Sequence, residues 1–363
     1  MALDTATYQL VDPRAKGPEA VRVAFGNQVA YCRDNGAPIT AFVCDVLAGL
    51  LGGERGGRIM ARLRDWKGAP LADALPLRIA GGLHALHLSG AEPALAPIYE
   101  GAEPPDAAAR IEMALETHDE ALLRWLDGPP QTNEAGRSWG FAAGMLWLAE
   151  QGCPPRFALN ELGSSAGINL MMARYRFDLG GVRAGPDEAL MRIAPEWRGA
   201  PPPAGAFEIV SARGCDVAPV DLTDAGQALR LRAYIWPELT ERFARMDAAV
   251  AAAEEEPPRI ARQKAGDFVA EVLAEAPREG VTRVIMHSVV WQYIPKDERD
   301  AITTAIETAG AAATPDSPLA WVMLEANRDT HRHELTARWW PGGPEARRIG
   351  TAHPHGSWVE WEG

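Results

Sequence analysis

The 363-residue chain has few cysteines, and no two of them are spaced as a Cys-x-x-Cys pair. A chain of this length with only four cysteines has no disulfide framework, which excludes the class of small secreted disulfide-rich proteins. No apolar run reaches the ~20 residues of a membrane-spanning helix, and residues 1–17 contain no apolar signal segment. The sequence therefore predicts a soluble, cytoplasmic protein that does not partner with a membrane.

Positive charge is scarce as well. The chain has 36 Lys and Arg residues against 49 Asp and Glu residues, which gives a net charge of −13. Nucleic-acid binding depends on clustered basic residues that neutralise phosphates, and here the basic residues are scattered. We therefore expect a small-molecule substrate and no nucleic-acid partner, while the sequence leaves the oligomeric state open.

The most informative stretch of the sequence is residues 161–167, Glu-Leu-Gly-Ser-Ser-Ala-Gly. It lies between an apolar strand candidate and a predicted helix opening, which is how a nucleotide-type cofactor is commonly received. The spacing resembles the first motif of S-adenosylmethionine-dependent methyltransferases, with Ser165 where a second glycine is usual. Glu161, Gly163, Ser165 and Gly167 are therefore candidate cofactor-binding residues. The alternative is a turn of small residues beside a solvated Glu161.

The hydrophobic pattern divides the chain near residue 128. Residues 1–128 read as a helical N-terminal domain, and Asp127-Gly128-Pro129-Pro130 is a strong breaker. From residue 129 to 363 strands and helices alternate, which predicts an α/β domain with a parallel sheet and covering helices. The end of the chain predicts an antiparallel hairpin, so the fold class expected is a Rossmann-like methyltransferase sheet with a terminal antiparallel pair. The predicted strands are 157–162, 207–211, 259–264, 281–287 and 319–325, with the terminal pair at 333–340 and 347–361.

Further acids follow the predicted second and third strands. Asp216 is the candidate acceptor for the hydroxyls of a ribose, with Asp221 as the alternative; both residues also suit a plain polar loop. Asp267 could accept from an exocyclic amine and Phe268 could stack on an adenine. Asp267 is equally suited to the N-cap of an ordinary helix.

Two residues are candidate general bases. His287 is expected at the carboxyl end of the fourth strand, where ligands bind in open α/β sheets, and imidazole side chains are suited to proton removal near neutral pH. Glu325 closes the next apolar strand and is the second candidate. For His287 the alternative is a buried histidine bonded to a backbone carbonyl. Five more residues are candidate substrate contacts: Asn133, Glu134, Arg137, Trp291 and Tyr293.

Three histidine pairs raise the possibility of a metal site. His84 and His87 lie in an apolar helical stretch, where a core or interface position is the commoner case. The other pairs, His331 with His333 and His353 with His355, alternate as ligands on a strand would. No His-Glu-x-x-His motif or thiolate set accompanies them, so no metal is predicted.

Several segments together resemble an uncharacterised bacterial family, domain of unknown function 2332, over nearly the whole chain. The resemblance implies a methyltransferase-like core and a helical N-terminal domain, but no established activity. We expect S-adenosylmethionine-dependent methyl transfer to a small or peptide-like acceptor. The alternatives are a Rossmann-type binder of another nucleotide or small acid, and a metal-dependent hydrolase. The segments that carry the resemblance are 131–137, 161–170, 236–238, 287–293 and 355–359.

Overall fold

The computed structural model describes residues 12–327, 330, 332–343 and 345–363. Contacts between Cα atoms divide the chain into two compact units. Unit 1 contains Met1–Thr132 together with Ala225–Ala244, and unit 2 contains Asn133–Asp224 together with Arg245–Gly363. The segment Ala225–Ala244 therefore belongs by its contacts to the helical unit, although it lies late in the chain. The division into two domains at residue 128 stays a prediction.

Unit 1 is helical throughout the part that the structure describes. Proline occupies the first turn of α1, α2 and α4, where its missing N–H costs no hydrogen bond. Fully buried apolar side chains such as Phe25, Leu47 and Ile79 form one core cluster. The helices are α1 (Pro18–Asp34), α2 (Pro38–Leu50), α3 (Gly57–Arg64), α4 (Leu75–Leu88), α5 (Ala96–Tyr99), α6 (Ala107–Thr117) and α7 (Asp119–Leu123).

In unit 2, helix α8 (Ser138–Glu150) precedes a mixed sheet that is mostly parallel. The first two strands of the large sheet flank a small insertion, and the rest of the sheet follows in alternation with helices. The chain's remaining elements follow in order, and of these α9 and the first residues of α10 fall in unit 1. They are β1 (Arg156–Leu162), β2 (Tyr175–Leu179), β3 (Val182–Ala184), β4 (Met191–Ile193), β5 (Glu196–Arg198), β6 (Glu208–Asp216), α9 (Ala225–Ala233), α10 (Thr240–Glu255), β7 (Ile260–Arg262), α11 (Ala265–Ala274), β8 (Thr282–Ser288), α12 (Lys296–Ala311), β9 (Leu319–Asn327), β10 (Arg332–Trp340), β11 (Arg347–Ala352) and β12 (Trp358–Trp361).

Among the described residues the large sheet has nine strands in the order β5-β12-β11-β10-β9-β8-β1-β6-β7. The run β7-β6-β1-β8-β9 is parallel, and β10, β11 and β12 extend it as an antiparallel meander. The parallel α/β sheet is therefore confirmed. The inserted segment forms a separate sheet, β3-β2-β4, before β5 joins the edge of the large one.

Several predicted elements differ in detail from the observed ones. A single terminal strand over 347–361 is wrong, because Pro354 and Gly356 lie in a turn that separates β11 from β12. The sequence pattern also predicts one long helix over 229–253, whereas the structure has two helices, α9 and α10. Pro237 lies in the interruption between them and cannot continue a helix. The helix predicted after the glycine-rich turn is a 3₁₀ helix, Ile168–Arg174. Strand β6 is longer than expected and ends at Asp216.

Candidate functional site

The glycine-rich turn follows β1 at the point where the order of the parallel strands reverses. In chain order β1, β6 and β7 extend one way from the centre, and β8 and β9 extend the other way. Open α/β sheets bind ligands outside the carboxyl ends of the strands at such a reversal. Glu161 lies at the carboxyl end of β1, and His287 lies at the carboxyl end of the neighbouring strand β8. The structure therefore brings two of the predicted site residues to the same edge of the sheet.

Backbone hydrogen bonds fix the shape of the turn. Ser164 N donates to Cys215 O at 2.9 Å, and Gly167 N donates to Ser164 O at 2.7 Å. Gly163, Ser165 and Gly167 have positive φ angles of 66°, 52° and 70°. At Gly163 and Gly167 the absence of a Cβ makes this conformation easy, whereas Ser165 adopts it at some cost.

The two glycines also admit close neighbours from the protein itself. A Cβ built on Gly163 would lie 2.3 Å from Val290 Cγ2, and one built on Gly167 would lie 2.7 Å from Pro258 Cβ. Side chains of the protein therefore fill the space beside these two positions. Internal packing alone is a sufficient reason for both glycines, which weakens them as evidence for a cofactor.

Asp216 is tied directly to the turn. Its Oδ2 accepts from Ser165 N at 2.8 Å, and its Oδ1 accepts from Ala218 N at 2.8 Å. The side chain is half-buried, and a carboxylate has lone pairs beyond these two bonds, so Asp216 retains acceptor capacity at the edge of the site. The alternative candidate, Asp221, is exposed and bonds Thr223 within its own turn.

Glu161 is nearly fully buried, with 2% of its surface exposed. Its Oε1 accepts from Asn169 Nδ2 at 2.7 Å. Its Oε2 has no hydrogen-bond partner among the described residues, and the same holds for Asn169 Oδ1 and Ser165 Oγ. Burial raises the pKa of Glu161 to about 8, although the bond from Asn169 opposes the shift. At neutral pH the Glu161 carboxyl is therefore mostly protonated and able to donate.

His287 and Glu325, predicted as separate bases, form one hydrogen-bonded pair. His287 Nδ1 lies 2.7 Å from Glu325 Oε1. The same oxygen accepts from Val290 N at 3.1 Å and from Trp291 N at 3.3 Å. An oxygen that accepts from two backbone N–H groups acts as an acceptor for its third neighbour too, so the hydrogen of the imidazole is assigned to Nδ1.

This assignment leaves the lone pair of His287 on Nε2. Nε2 is buried and has no hydrogen-bond partner in the described part of the chain. The side chain of His287 is 0% exposed, and the ring of Trp291 stacks on it with the centroids 4.9 Å apart and an interplanar angle of 14°. A base whose second nitrogen is held by a carboxylate is a recurring arrangement in enzymes that move protons.

The side chains of Glu161 and His287 project from opposite faces of the sheet. The parallel register places Leu162 beside His287 and Glu161 beside Met286. Because successive side chains of a strand point to opposite faces, Glu161 and His287 project to different sides. Glu161 and His287 therefore belong to two separate clusters that share one edge of the sheet.

Arg137 belongs to the cluster on the side of Glu161. It is buried, and its Nε donates to Pro354 O at 3.0 Å. Its positive charge acts on the pKa of two other residues. It opposes the rise in the pKa of Glu161, and it helps to lower the pKa of His333. Burial is the largest cause at His333, where the pKa falls to about 4 and His353 also contributes. His333 is therefore neutral near pH 7.

Two other predicted substrate contacts, Asn133 and Glu134, form hydrogen bonds within the protein that stabilise the segment before α8. Asn133 Oδ1 accepts from Ile168 N at 3.0 Å and so holds the start of the 3₁₀ helix. Glu134 is buried, and its Oε1 accepts from Gly136 N at 2.9 Å and from Arg245 Nε at 3.0 Å. These bonds shape the site from the segment that precedes α8.

The remaining predicted contacts lie in the core or at the surface. Phe268 is 2% exposed in the core, with the Arg213 guanidinium 5.7 Å from its ring, so its face is not available to stack on an adenine in this conformation. Asp267 is exposed in the first turn of α11. Gly266 N, just before it, donates to Glu298 Oε1 at 3.0 Å. Tyr293 is 71% exposed.

The sequence of the turn also supports a second interpretation, which the sequence analysis overlooked. Residues 163–167 also fit Gly-x-Ser-x-Gly, the spacing of a nucleophile elbow, and they lie between a strand and a helical segment as that motif requires. Ser165, the central serine, has the positive φ that a sharp elbow imposes and a side-chain oxygen without a partner among the described residues. Asn169 was missed too, because only its tertiary contact with Glu161 marks it.

The histidine pairs do not form a metal centre in the described part of the chain, where no three His, Cys, Asp or Glu side chains are placed to hold an ion. In unit 1, His84 Nδ1 lies 3.0 Å from Ala233 O, and the ring stacks on Tyr99. In unit 2 the rings of His353 and His355 lie 5.7 Å apart. His331 lies outside the described residues.

The fold and the site define a mixed α/β protein with a polar site at the reversal of a mostly parallel sheet. The chain belongs to a family of uncharacterised proteins conserved in bacteria, domain of unknown function 2332, whose model matches residues 22–361. No curated protein matches it. Across the residues that the structure describes, no helix combines the length and the apolar character needed to cross a membrane.

Proposed function

We propose that this chain transfers a methyl group from S-adenosylmethionine to a small or peptide-like acceptor, on a Rossmann-like methyltransferase core. The observation that carries the proposal is the bond between Asp216, at the end of the second parallel strand, and Ser165 N in the turn after the first. It couples a carboxylate suited to ribose hydroxyls to a turn at the switch point of the sheet. The parallel strand order β7-β6-β1-β8-β9 supports the same proposal.

The polar atoms around the turn fit the polar groups of such a cofactor. Asp216 would accept from its hydroxyls. Glu161, Asn169 and Ser165 each have a side-chain oxygen without a partner among the described residues, and a buried polar atom left in that state is costly. When bound, the cofactor supplies an electrophilic methyl group. Against the fit stands the packing of Val290 on Gly163, which fills part of the space beside the turn.

His287 is the group best placed to accept a proton from an acceptor molecule. Its Nε2 bears the lone pair, and Glu325 would stabilise the imidazolium that forms when Nε2 takes the proton. Oε1 of Glu325 already accepts from three N–H groups, which supports the choice of His287 over Glu325 as the base.

Isothermal titration calorimetry with S-adenosylmethionine and S-adenosylhomocysteine tests the proposal. We expect saturable heat with both compounds for the native protein and at least tenfold weaker binding for Asp216→Ala, because the ribose hydroxyls lose their acceptor. Asp221→Ala removes a nearby exposed acid and should bind like the native protein. Absence of heat with either compound, on protein whose folding circular dichroism confirms, would overturn the proposal.

A second candidate function follows from the Gly-x-Ser-x-Gly spacing and from the positive φ of Ser165. In this alternative, Ser165 Oγ attacks an ester carbonyl while His287 Nε2 takes its proton. The alcohol then leaves with that proton, and water releases the acid and regenerates the serine. Ser165 Oγ and His287 Nε2 do not bond to each other here, so this reaction requires the two groups to approach.

A fluorophosphonate probe followed by peptide mass spectrometry distinguishes the two candidates. If Ser165 is a nucleophile, the probe labels it, and Ser165→Ala abolishes the label. Ser164→Ala is the matched control, since the Ser164 hydroxyl already donates to Glu161 O and should not react. An unlabelled Ser165 in folded protein would remove the hydrolase candidate and leave the calorimetric test unaffected.

A further inference from the structure

One carboxylate oxygen connects the candidate base to the segment that follows it. We call residues 289–293 the post-β8 segment. Glu325 Oε1 accepts from His287 Nδ1 and also from the backbone N–H groups of Val290 and Trp291. The atom that sets the tautomer of His287 therefore also holds the start of the post-β8 segment against β9.

The post-β8 segment covers both the base and the turn. The ring of Trp291 stacks on His287 and leaves that side chain fully buried. The side chain of Val290 lies where a Cβ on Gly163 would be. At the far end of the segment, Tyr293 is an exposed aromatic residue, 71% accessible. Movement of this segment would take the Trp291 ring away from the face of His287.

The covered arrangement contains features that disfavour it. Val289 has a φ of 55°, and a β-branched residue rarely adopts the left-handed region. His287 Nε2 is buried without a partner among the described residues, which leaves a strong acceptor unsatisfied. Both costs arise within residues 287–289, at the carboxyl end of β8. Opposing them are the two N–H bonds from Val290 and Trp291 to Glu325 and the contact of Val290 with Gly163.

We infer that the post-β8 segment opens and closes over His287, and that Glu325 is the positioning residue that holds the closed form. Opening would let Val289 leave the left-handed region, withdraw Val290 from Gly163 and expose His287 Nε2. Both candidate reactions use that nitrogen, but the inference depends on neither of them, because it concerns access to the nitrogen and not its chemistry.

Two measurements on the 363-residue chain without any ligand test the inference. The first is hydrogen exchange at the amides of Val290 and Trp291. The second is the rate at which diethyl pyrocarbonate modifies His287, followed by peptide mass spectrometry. Glu325→Ala should raise both rates about tenfold or more, because the segment loses the two hydrogen bonds that Val290 N and Trp291 N donate to Glu325. Glu325→Gln keeps an oxygen that can accept, so it should restore most of the protection.

Substitution of Val289 gives the opposite change. Asparagine tolerates the left-handed region, so Val289→Asn should favour the closed form and slow both rates about tenfold. Val289→Ile is the matched control, because it keeps the β-branch and should behave like the native protein. These variants also keep the test decisive if Glu325→Ala fails to fold.

The inference is overturned if Val289→Asn and Val289→Ile give the same exchange and modification rates. It is also overturned if folded Glu325→Ala protects His287 as well as the native protein does. A negative calorimetric titration with S-adenosylhomocysteine would count against the proposed cofactor and would leave these rates unchanged, so the two failures can be told apart.

Discussion

The turn after β1 and the bend after β8 leave adjacent strands at the same edge of the sheet, yet they are built differently. The first enters the left-handed region at Gly163, where the missing Cβ makes it easy. The second enters it at Val289, where a branched side chain makes it costly. Val290 from the second fills the space above Gly163 in the first. The comparison teaches that the first bend leaves its strand without strain at Gly163, whereas the second leaves its strand in a conformation that its contacts maintain.

The largest expected effect comes from making the relaxed turn strained. Gly163→Ala should lower the free energy of unfolding by about 2 to 5 kcal/mol, since it adds the left-handed penalty to an overlap with Val290. Chemical denaturation measures the loss. Gly152→Ala is the control, because Gly152 has a positive φ but no atom within 4 Å of the added Cβ.

The double variant Gly163→Ala/Val290→Ala sharpens this result. Truncation of Val290 should relieve the overlap with the added Cβ. The remaining loss of unfolding free energy should then be the left-handed penalty alone, close to the loss in Gly152→Ala. If the double variant is as unstable as the sum of its two single variants, the contact between the turn and the bend does not set the cost.

The next effect concerns Glu161, which projects from one face of the sheet, and its contribution to the pH dependence of stability. Burial raises the pKa of Glu161 to about 8, so between about pH 4.5 and pH 8 the folded state binds a proton that the unfolded state has released. This group therefore lowers stability as pH rises, by at most about 1.4 kcal/mol per pH unit, and the fall ends near pH 8.

Glu161→Gln cannot titrate and keeps an oxygen for Asn169. We therefore expect the stability of the native protein relative to this variant to decrease from pH 5 to pH 8. Taking the difference cancels other titrating groups such as His333, whose lowered pKa gives the opposite trend between about pH 4 and pH 6.5. A difference that stays flat over this range would contradict a raised pKa at Glu161.

The smallest expected effect lies within the turn itself. Ser165 has a positive φ of 52°, so Ser165→Gly should raise the free energy of unfolding by up to about 1 kcal/mol, with the gain reduced by the entropy of glycine in the unfolded chain. Ser165→Ala keeps the strained backbone and should show no such gain. Equal stabilities of the two variants would mean that the turn carries no strain at this position.

Much of the architecture can be predicted from local pattern. The helical N-terminal segment, the core strands and the glycine-rich turn follow from hydrophobic periodicity and from glycine and proline placement, which act over a few residues. Strand ends were less predictable. Asp216 is the last residue of β6 instead of a loop residue, because pairing of Asp216 with Arg262 of β7 extends the strand. The break at Pro237 was overlooked although its residue type signals it.

The candidate site was predictable in composition but not in arrangement. His287 and Glu325 were both expected at the carboxyl edge, yet their hydrogen bond joins residues 38 positions apart and depends on β8 and β9 being neighbours. Phe268 was expected beside a ligand and lies in the core, because its position on α11 faces the sheet. Asn133 accepts from Ile168 N at the start of the 3₁₀ helix, a bond that the sequence did not indicate, and its contact with substrate stays a prediction.

By itself, the sequence determined the alternation of strands and helices, the turn at residues 163–167 and the membership of the chain in its family, since these depend on residues close together in the chain. Only the tertiary structure decided that Glu161 and His287 project from opposite faces and that one oxygen of Glu325 holds both a base and a bend. Strand register and strand order set those relations. Both arise from packing between segments that are distant in sequence, where local pattern carries no information.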